Sequence, residues 1–161
     1  MNKYTPKKNK LREDILTLVN TWIKFRDNRT CQKTKQKVSG NNCHPSHIIP
    51  QSADKRLALE PRNIKVLSYH SHINWRHKNP TESGKRYRET FPQNMQRLEK
   101  KHLENQWRWS ISLFEYEEFT KQAIELIDSH KRKESKQINA NKKNSIRLAR
   151  NRLLKFLEHM K

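Results

Sequence analysis

The sequence predicts an α+β protein in which a small strand, loop, strand and helix core is embedded in a mainly helical, strongly basic chain. Three observations predict it. Apolar residues recur at helical spacing in separate segments along the chain, and two short β-branched runs lie near its middle. Only 32% of the 161 residues are hydrophobic, and the mean hydropathy of −1.21 restricts the core to a small one. Four Trp, five Phe and four Tyr nevertheless exceed what chains that never fold usually carry.

Residues 1–10 are polar and basic and read as a loose arm. Leu11, Ile15, Leu18, Val19, Trp22 and Ile23 then define an amphipathic helix that runs to about Phe25 and stops at Arg26-Asp27-Asn28-Arg29. A weakly alternating basic run, Cys31 to Val38, leads into Ser39-Gly40-Asn41-Asn42, a composition that favours positive φ and a turn. Ser46 to Ile49 reads as a strand stopped by Pro50, which lacks a backbone donor. Residues 51–62 read as a loop, Ile64 to Leu67 as a second strand, and Ser68 to His77 as a helix, with no breaker before Pro80.

Thr81 to Thr90 reads as a loop or a first helical turn. Phe91, Met95, Leu98 and Leu103 mark a helix ending near Trp107. Ser112 and Glu115 form a capping box that opens a helix to about Ser129, burying Phe114, Phe119, Ala123 and Ile127. A mostly basic linker follows, and Ile146, Ala149, Leu153, Leu157 and Met160 make a last amphipathic helix. The chain thus divides into a basic arm and helix (1–28), a central core (29–80), a helical extension (81–130) and a basic linker with the C-terminal helix (131–161).

Thirty-six Lys and Arg against sixteen Asp and Glu give a net charge of +20. Such a field attracts phosphate backbones, so nucleic acid is the expected partner. No run approaches the roughly twenty apolar residues of a membrane span, and the first residues lack the apolar stretch of a signal peptide, so a cytoplasmic protein is expected. Cys31 and Cys43 are too far apart for a CxxC pair and read as buried, reduced thiols.

The chemistry concentrates in Cys43 to His77. Hydrolysing a phosphodiester takes a base for water and a cation for the charge on the phosphate. Histidine suits the base because its pKa near 6.5 leaves it largely neutral in the cell; His47 is the candidate. The amide of Asn63 does not titrate, so it can orient a histidine, brace a loop or offer an oxygen to a hard metal. His72 near the helix start is a candidate metal ligand, with Arg76 one turn on to hold a phosphate oxygen. His70 and His77, seven apart, share a helix face distinct from that of His72. Trp107 and Trp109 offer rings that can stack on unpaired bases, although packing in the core is the reading favoured for both.

SHIIP followed by NIKVLSYHSH resembles the HNH nuclease pattern, a DHIIP-like element and then NLVLLCxxCH, with asparagine and final histidine nine apart in both. The similarity widens to the NinG (Rap) family of phage recombination endonucleases. TWIKFRDNRTC resembles that family's YIRxRD segment leading into a CxxC, CHPSHI stands where it has Asp-x-x-His, and EPRNI matches its ERNI. SGKRYRET and RWSISLFEYEEF resemble its Tyr-Arg and Arg-Trp-Thr segments, so the likeness spans about Thr21 to Ile127. It implies a ββα-metal (HNH) core, one divalent ion (Mg²⁺ or Mn²⁺), and a phage or prophage enzyme cutting branched DNA such as Holliday junctions or displacement loops. Two cuts at a junction point to two active sites and a homodimer.

Carried onto this chain, the resemblance makes His47, Asn63 and His72 the catalytic residues and His72, Asn63 and His44 the metal ligands. Phosphate contacts fall to Arg62, Arg76, His77, Lys85, Arg86 and Arg88. The chain departs from the pattern at Thr34, Ser68 and Ser71, where relatives carry zinc-binding cysteines. A hydroxyl is a poor zinc ligand, so no structural zinc is expected. Ser46 stands where many HNH proteins place aspartate before the base, and His44 takes the place of the family's other aspartate; imidazole favours first-row metals over Mg²⁺. Two further readings stand beside the structure-selective nuclease: a site-specific homing or restriction nuclease, and a non-catalytic DNA-binding recombination accessory protein.

Overall fold

The computed structural model describes residues 7–108, 110–130 and 140–160. They divide into two compact units, one formed by 7–22 with the described residues after 110, the other by 23–110. The expectations for the basic linker at 131–137, for residues 1–6 and for Trp109 lie outside the described residues.

The first unit consists of three helices. Helix α1 (Lys8–Arg26) contributes all but its last turn; residues 8–10, expected in a loose arm, are already helical. Its apolar stripe, Leu11, Ile15, Leu18 and Val19, is buried as the spacing predicts. Helices α4 (Leu113–His130) and α5 (Ala140–Met160) complete the unit. The capping box forms as expected. Ser112 Oγ accepts from the Glu115 amide at 3.1 Å, and the Glu115 carboxylate accepts from the Ser112 amide at 2.9 Å.

The buried face of α4 is Tyr116, Thr120, Ala123 and Ile127, not the expected Phe114 and Phe119. Phe114 lies nine residues before Ala123, half a turn out of phase at 100° per residue, and is 67% exposed; Phe119 is half-buried. On α5 the stripe closes on Phe156, with Leu157 only partly covered.

Two arginines of α5 tie the helices together. Arg152 meets the buried Asp14 of α1 through two hydrogen bonds of 2.7 Å, and Arg150 meets Asp128 of α4 at 2.6 and 3.0 Å. Such forked pairs fix orientation as well as attraction.

The second unit carries the small sheet. Strands β1 (His44–His47) and β2 (Ile64–Leu67) pair antiparallel, with His44 opposite Leu67 and His47 opposite Ile64. β2 matches the expected span, whereas β1 lies two residues earlier than Ser46–Ile49. The link between them is not plain loop but includes two 3₁₀ turns, Leu57–Leu59 and Pro61–Asn63. Asp27, just after α1, accepts the Val66 amide at 2.8 Å, and Arg26 donates to the Pro61 and Ile64 carbonyls. The end of α1 is thereby fastened to β2.

Past β2, residues Ser71–His77 wind as a π-helix. Helices α2 (Pro80–Thr90) and α3 (Pro92–Asn105) follow. Where a loop or a first helical turn was expected, α2 is a full helix, its Pro80 sitting in the first turn where a missing amide costs nothing. Ile64, Val66, Leu67, Leu57, Leu59 and Leu98 are almost wholly buried and make the core of this unit. Gly40 adopts φ +51 in the expected turn. Among the described residues no helix is long and apolar enough to cross a membrane.

Removing the Arg152 side chain leaves the Asp14 carboxylate buried with a weaker partner, Lys10 at 3.7 Å. Because Arg152 is partly exposed, Arg152→Ala is expected to cost about 2 kcal/mol, measured as a lower urea midpoint at unchanged slope.

Candidate active site

One cleft of the second unit, with a volume of about 570 Å³, is lined by His47, Gln51, His72, Arg76 and His77 between the walls of Pro50 and Pro80. Its floor is the end of β1 and its side is the π-helix.

His47 is oriented through both ring nitrogens. Nε2 lies 3.0 Å from the Ala58 carbonyl; a carbonyl only accepts, so Nε2 carries the proton and Nδ1 is the basic atom. Nδ1 takes a 3.1 Å hydrogen bond from the Gln51 amide, which stands where a water donating to that nitrogen would stand.

Asn63 is fully buried and its amide is consumed by the backbone. Oδ1 accepts from the Ile49 amide at 2.7 Å, and Nδ2 donates to the carbonyls of Ile49 and Leu57, both at 2.9 Å. The expected metal-ligand role of Asn63 is therefore corrected: its oxygen is enclosed and engaged, and the residue braces the loop that presents His47.

Arg76 is corrected likewise. It is 7% exposed, and Nε and one Nη donate to the carbonyls of His47 and Ile48. Its guanidinium faces the cleft as a positive wall, but its hydrogen bonds hold the end of β1 and do not reach outward as expected of a phosphate clamp.

The π-helix changes the reading of His77. In an α-helix residues five apart diverge, but i→i+5 winding, seen in the Lys78 amide bonding to Ile73 O at 3.2 Å, brings them together. The His72 and His77 rings meet edge to face at 4.5 Å, with their Nε2 atoms 3.1 Å apart. His77 thus joins His72 and not the separate face expected with His70. The ring of His44 stacks on the other side of His72, 5.4 Å away and only 12° from parallel.

Burial, then the charges of His77, His44, Arg76 and His47, pushes the His72 pKa down to about 4. At neutral pH His72 is an uncharged donor. His72 Nδ1, His44 Nε2 and Ser46 Oγ are buried polar atoms that have no hydrogen-bond partner. Three such atoms in one neighbourhood are unusual, since buried polar groups are almost always satisfied.

Among the described residues no three histidine, cysteine, aspartate or glutamate side chains converge as a ready metal cage; the parallel stacking of His44 and His72 explains part of this. The His72–His77 pair does fit a divalent ion. Two nitrogens each about 2.1 Å from one ion and roughly 90–110° apart are about 3.0–3.4 Å from one another, which brackets the observed spacing. His44 is the adjacent reserve donor.

Of the expected phosphate contacts, Arg62, Lys85, Arg86 and Arg88 are all exposed. Arg86 donates to Lys33 O at 3.3 Å, Arg88 pairs with Glu99 at 2.8 Å and Lys85 with Glu89 at 4.0 Å. Exposed pairs of this kind contribute at most about 1 kcal/mol, so these cations exchange readily onto a stronger anion.

Thr34, Ser68 and Ser71 gather around the Cys31 thiol. Ser71 Oγ lies 3.6 Å from Cys31 Sγ and 3.0 Å from Ser68 Oγ. Burial raises the thiol pKa, but hydrogen bonds from Thr34, Ser68 and Ser71 outweigh it and bring it down to about 6. Both cysteines are buried and free.

Compared with protein-family models, curated proteins and solved structures, the chain has no match. Sequence reading missed Gln51 as a member of the cleft and missed one contact within it. Gln51, four residues after His47, carried no distinguishing signal, and the pairing of His77 with His72 needed the π winding.

Two measurements check this arrangement. Asn63→Ala leaves the Ile49 amide and carbonyl unpaired and the Leu57 carbonyl with the Glu60 amide alone, at 3.2 Å, and is expected to destabilise the protein by about 2–4 kcal/mol, read by denaturant unfolding. The folded chain keeps His72 neutral where the unfolded chain protonates near pH 6.5, so the unfolded state binds the extra proton. With chelator present, the His72 contribution to stability is expected to be whole above pH 6.5 and lost as pH falls towards about 4, with the His72 ring resonances titrating near the lower value.

Proposed function

We propose that this protein is a metal-dependent DNA endonuclease of the ββα-metal (HNH) type, structure-selective for branched recombination intermediates, as its resemblance to the NinG family implies. One observation carries the proposal. A histidine whose tautomer is fixed with Nδ1 basic opens on the same cleft as the His72–His77 pair, whose Nε2 atoms lie at metal-ligand spacing.

The chemistry follows from these groups. A backbone phosphate is drawn to the cleft by the net charge of +20, to which the exposed Arg62, Lys85, Arg86 and Arg88 contribute. Gln51 swings from Nδ1 of His47 and water takes its place. His47 removes the water proton as the oxygen attacks phosphorus, and the P–O bond on the far side breaks. The Ala58 carbonyl steadies the imidazolium that results, and Arg76 adds positive potential from the wall. A divalent ion, when held by His72 and His77 with His44 beside them, supplies neutralising charge at the phosphate and the departing oxygen. This nitrogen-rich donor set suits Mn²⁺ or another first-row ion better than Mg²⁺.

The test is incubation with junction, flap and linear duplex DNA across divalent metals. Junction cutting is expected with Mn²⁺, reduced about 10²–10⁴-fold in His47→Ala. His77→Ala is expected to need at least about tenfold more metal for the same rate, while His70→Ala is expected to match the parent. Salt-sensitive binding without cleavage in any metal would leave a recombination accessory protein instead.

A further inference from the structure

The end of α3 and the turn that follows it show an arrangement that the active site does not use. Trp107 is 84% exposed, and Leu103, one turn earlier, is 61% exposed. Trp107 was expected to pack in the core and Leu103 to belong to the apolar spacing of this helix; both are exposed. An isolated exposed apolar residue needs no explanation, but this pair is held in place by buried charge.

Asp54 is 5% exposed, and its Oδ2 accepts from His102 Nδ1 at 3.1 Å and from Asn105 Nδ2 at 3.0 Å. Its Oδ1 accepts from the amides of Arg56 and Leu57 at 2.9 and 3.0 Å. Arg56, 8% exposed, donates to the Arg108 carbonyl at 2.6 Å and to the Ser110 carbonyl. One buried carboxylate thus grips the helix just before Trp107, and one buried guanidinium grips the chain just after it.

These bonds satisfy a buried carboxylate and a buried guanidinium, and they also fix the backbone on either side of Trp107 while its ring stays in solvent. Pre-ordering an aromatic surface does lower the cost of binding to it. The face is also cationic. On α3 Lys100 lies three residues before Leu103 and Arg97 three before Lys100, neighbouring positions on the helix surface; both are exposed, and neither forms an ion pair among the described residues. Glu99 is committed to Arg88 at 2.8 Å, leaving Glu104 as the acid of this face.

We propose that Trp107 and Leu103 form a stacking platform for an unpaired base of single-stranded DNA, with Lys100 and Arg97 contacting the adjoining phosphates. A flat aromatic surface beside cations is what a single strand offers complementary groups to: every base has a π face, and every link has a charge. The platform gives the enzyme a way to prefer junctions and flaps over intact duplex. It depends on the DNA reading above for its partner, and not on catalysis.

The test is binding of a labelled, roughly 12-nucleotide oligothymidylate, followed by fluorescence anisotropy at low salt with EDTA. Trp107→Ala is expected to weaken binding by about 5- to 100-fold, Trp107→Phe by less than about threefold because a ring remains, and Lys100→Glu by about tenfold. Binding of a blunt duplex of the same charge is expected to be unchanged in Trp107→Ala.

Undiminished oligonucleotide binding by Trp107→Ala overturns the platform, and so does equal loss in Trp107→Ala and Trp107→Phe. A parent protein that sediments as a dimer and a Trp107→Ala variant that sediments as a monomer would give the face to a second copy. Failure of the nuclease reading looks different: Trp107-dependent binding persists, with no cleavage in any metal. Junction cleavage that depends on His47, with binding indifferent to Trp107, sinks the platform alone.

Discussion

The amide of Asn63 holds together the loop on which the cleft depends. It sits at 0% exposure and closes three hydrogen bonds to Ile49 and Leu57. The loop between the strands turns through local backbone bonds of its own, but the Ile49 amide and carbonyl meet the Asn63 side chain and would be unmet without it. Leu57 and Leu59 then seat in the core, which fixes the Ala58 carbonyl between them. That carbonyl sets the tautomer of His47. Arg76 acts from the other side, gripping the His47 and Ile48 carbonyls from the π-helix. A neutral amide and a buried guanidinium therefore do the positioning, and the ring of His47 faces the cleft between them.

Much of this was legible in the sequence, for physical reasons that differ by element. Ile64–Leu67 is β-branched and bounded by turn residues, so its strand was readable to the residue. Ser112 and Glu115 announced a helix start because reciprocal capping is a local interaction. β1 begins earlier than Ser46 because Pro45 takes a place in it opposite Val66, and a proline tolerates a strand position that needs no amide from it. The face of α4 was misjudged by weighing Phe114 over phase: Tyr116 and Thr120 keep the spacing, and Phe114 does not.

The site was legible in its membership and not in its contacts. His47, Asn63 and His72 stood out by order and spacing. The enclosure of Asn63 depends on residues 49 and 57, whose backbone positions no pattern reveals. The meeting of His72 and His77 depends on a widened helical turn, which an α-helical reading of SHINWRH cannot give. Charge was legible in total and not in placement. The +20 includes Arg56, Arg76, Arg150 and Arg152, which hold the structure together, while Arg62, Arg97 and Lys100 face outward.

The central claim is that His72 and His77 act as one metal-binding pair beside the base His47. Paramagnetic broadening of imidazole resonances during a Mn²⁺ titration tests it directly. The account predicts that the Nε2-side signals of His72 and His77 broaden first and together, His44 and His47 follow, and His102, His130 and His159 stay sharp. Uniform broadening of all eight histidines, or sharp His72 and His77 signals at saturating Mn²⁺, would contradict it.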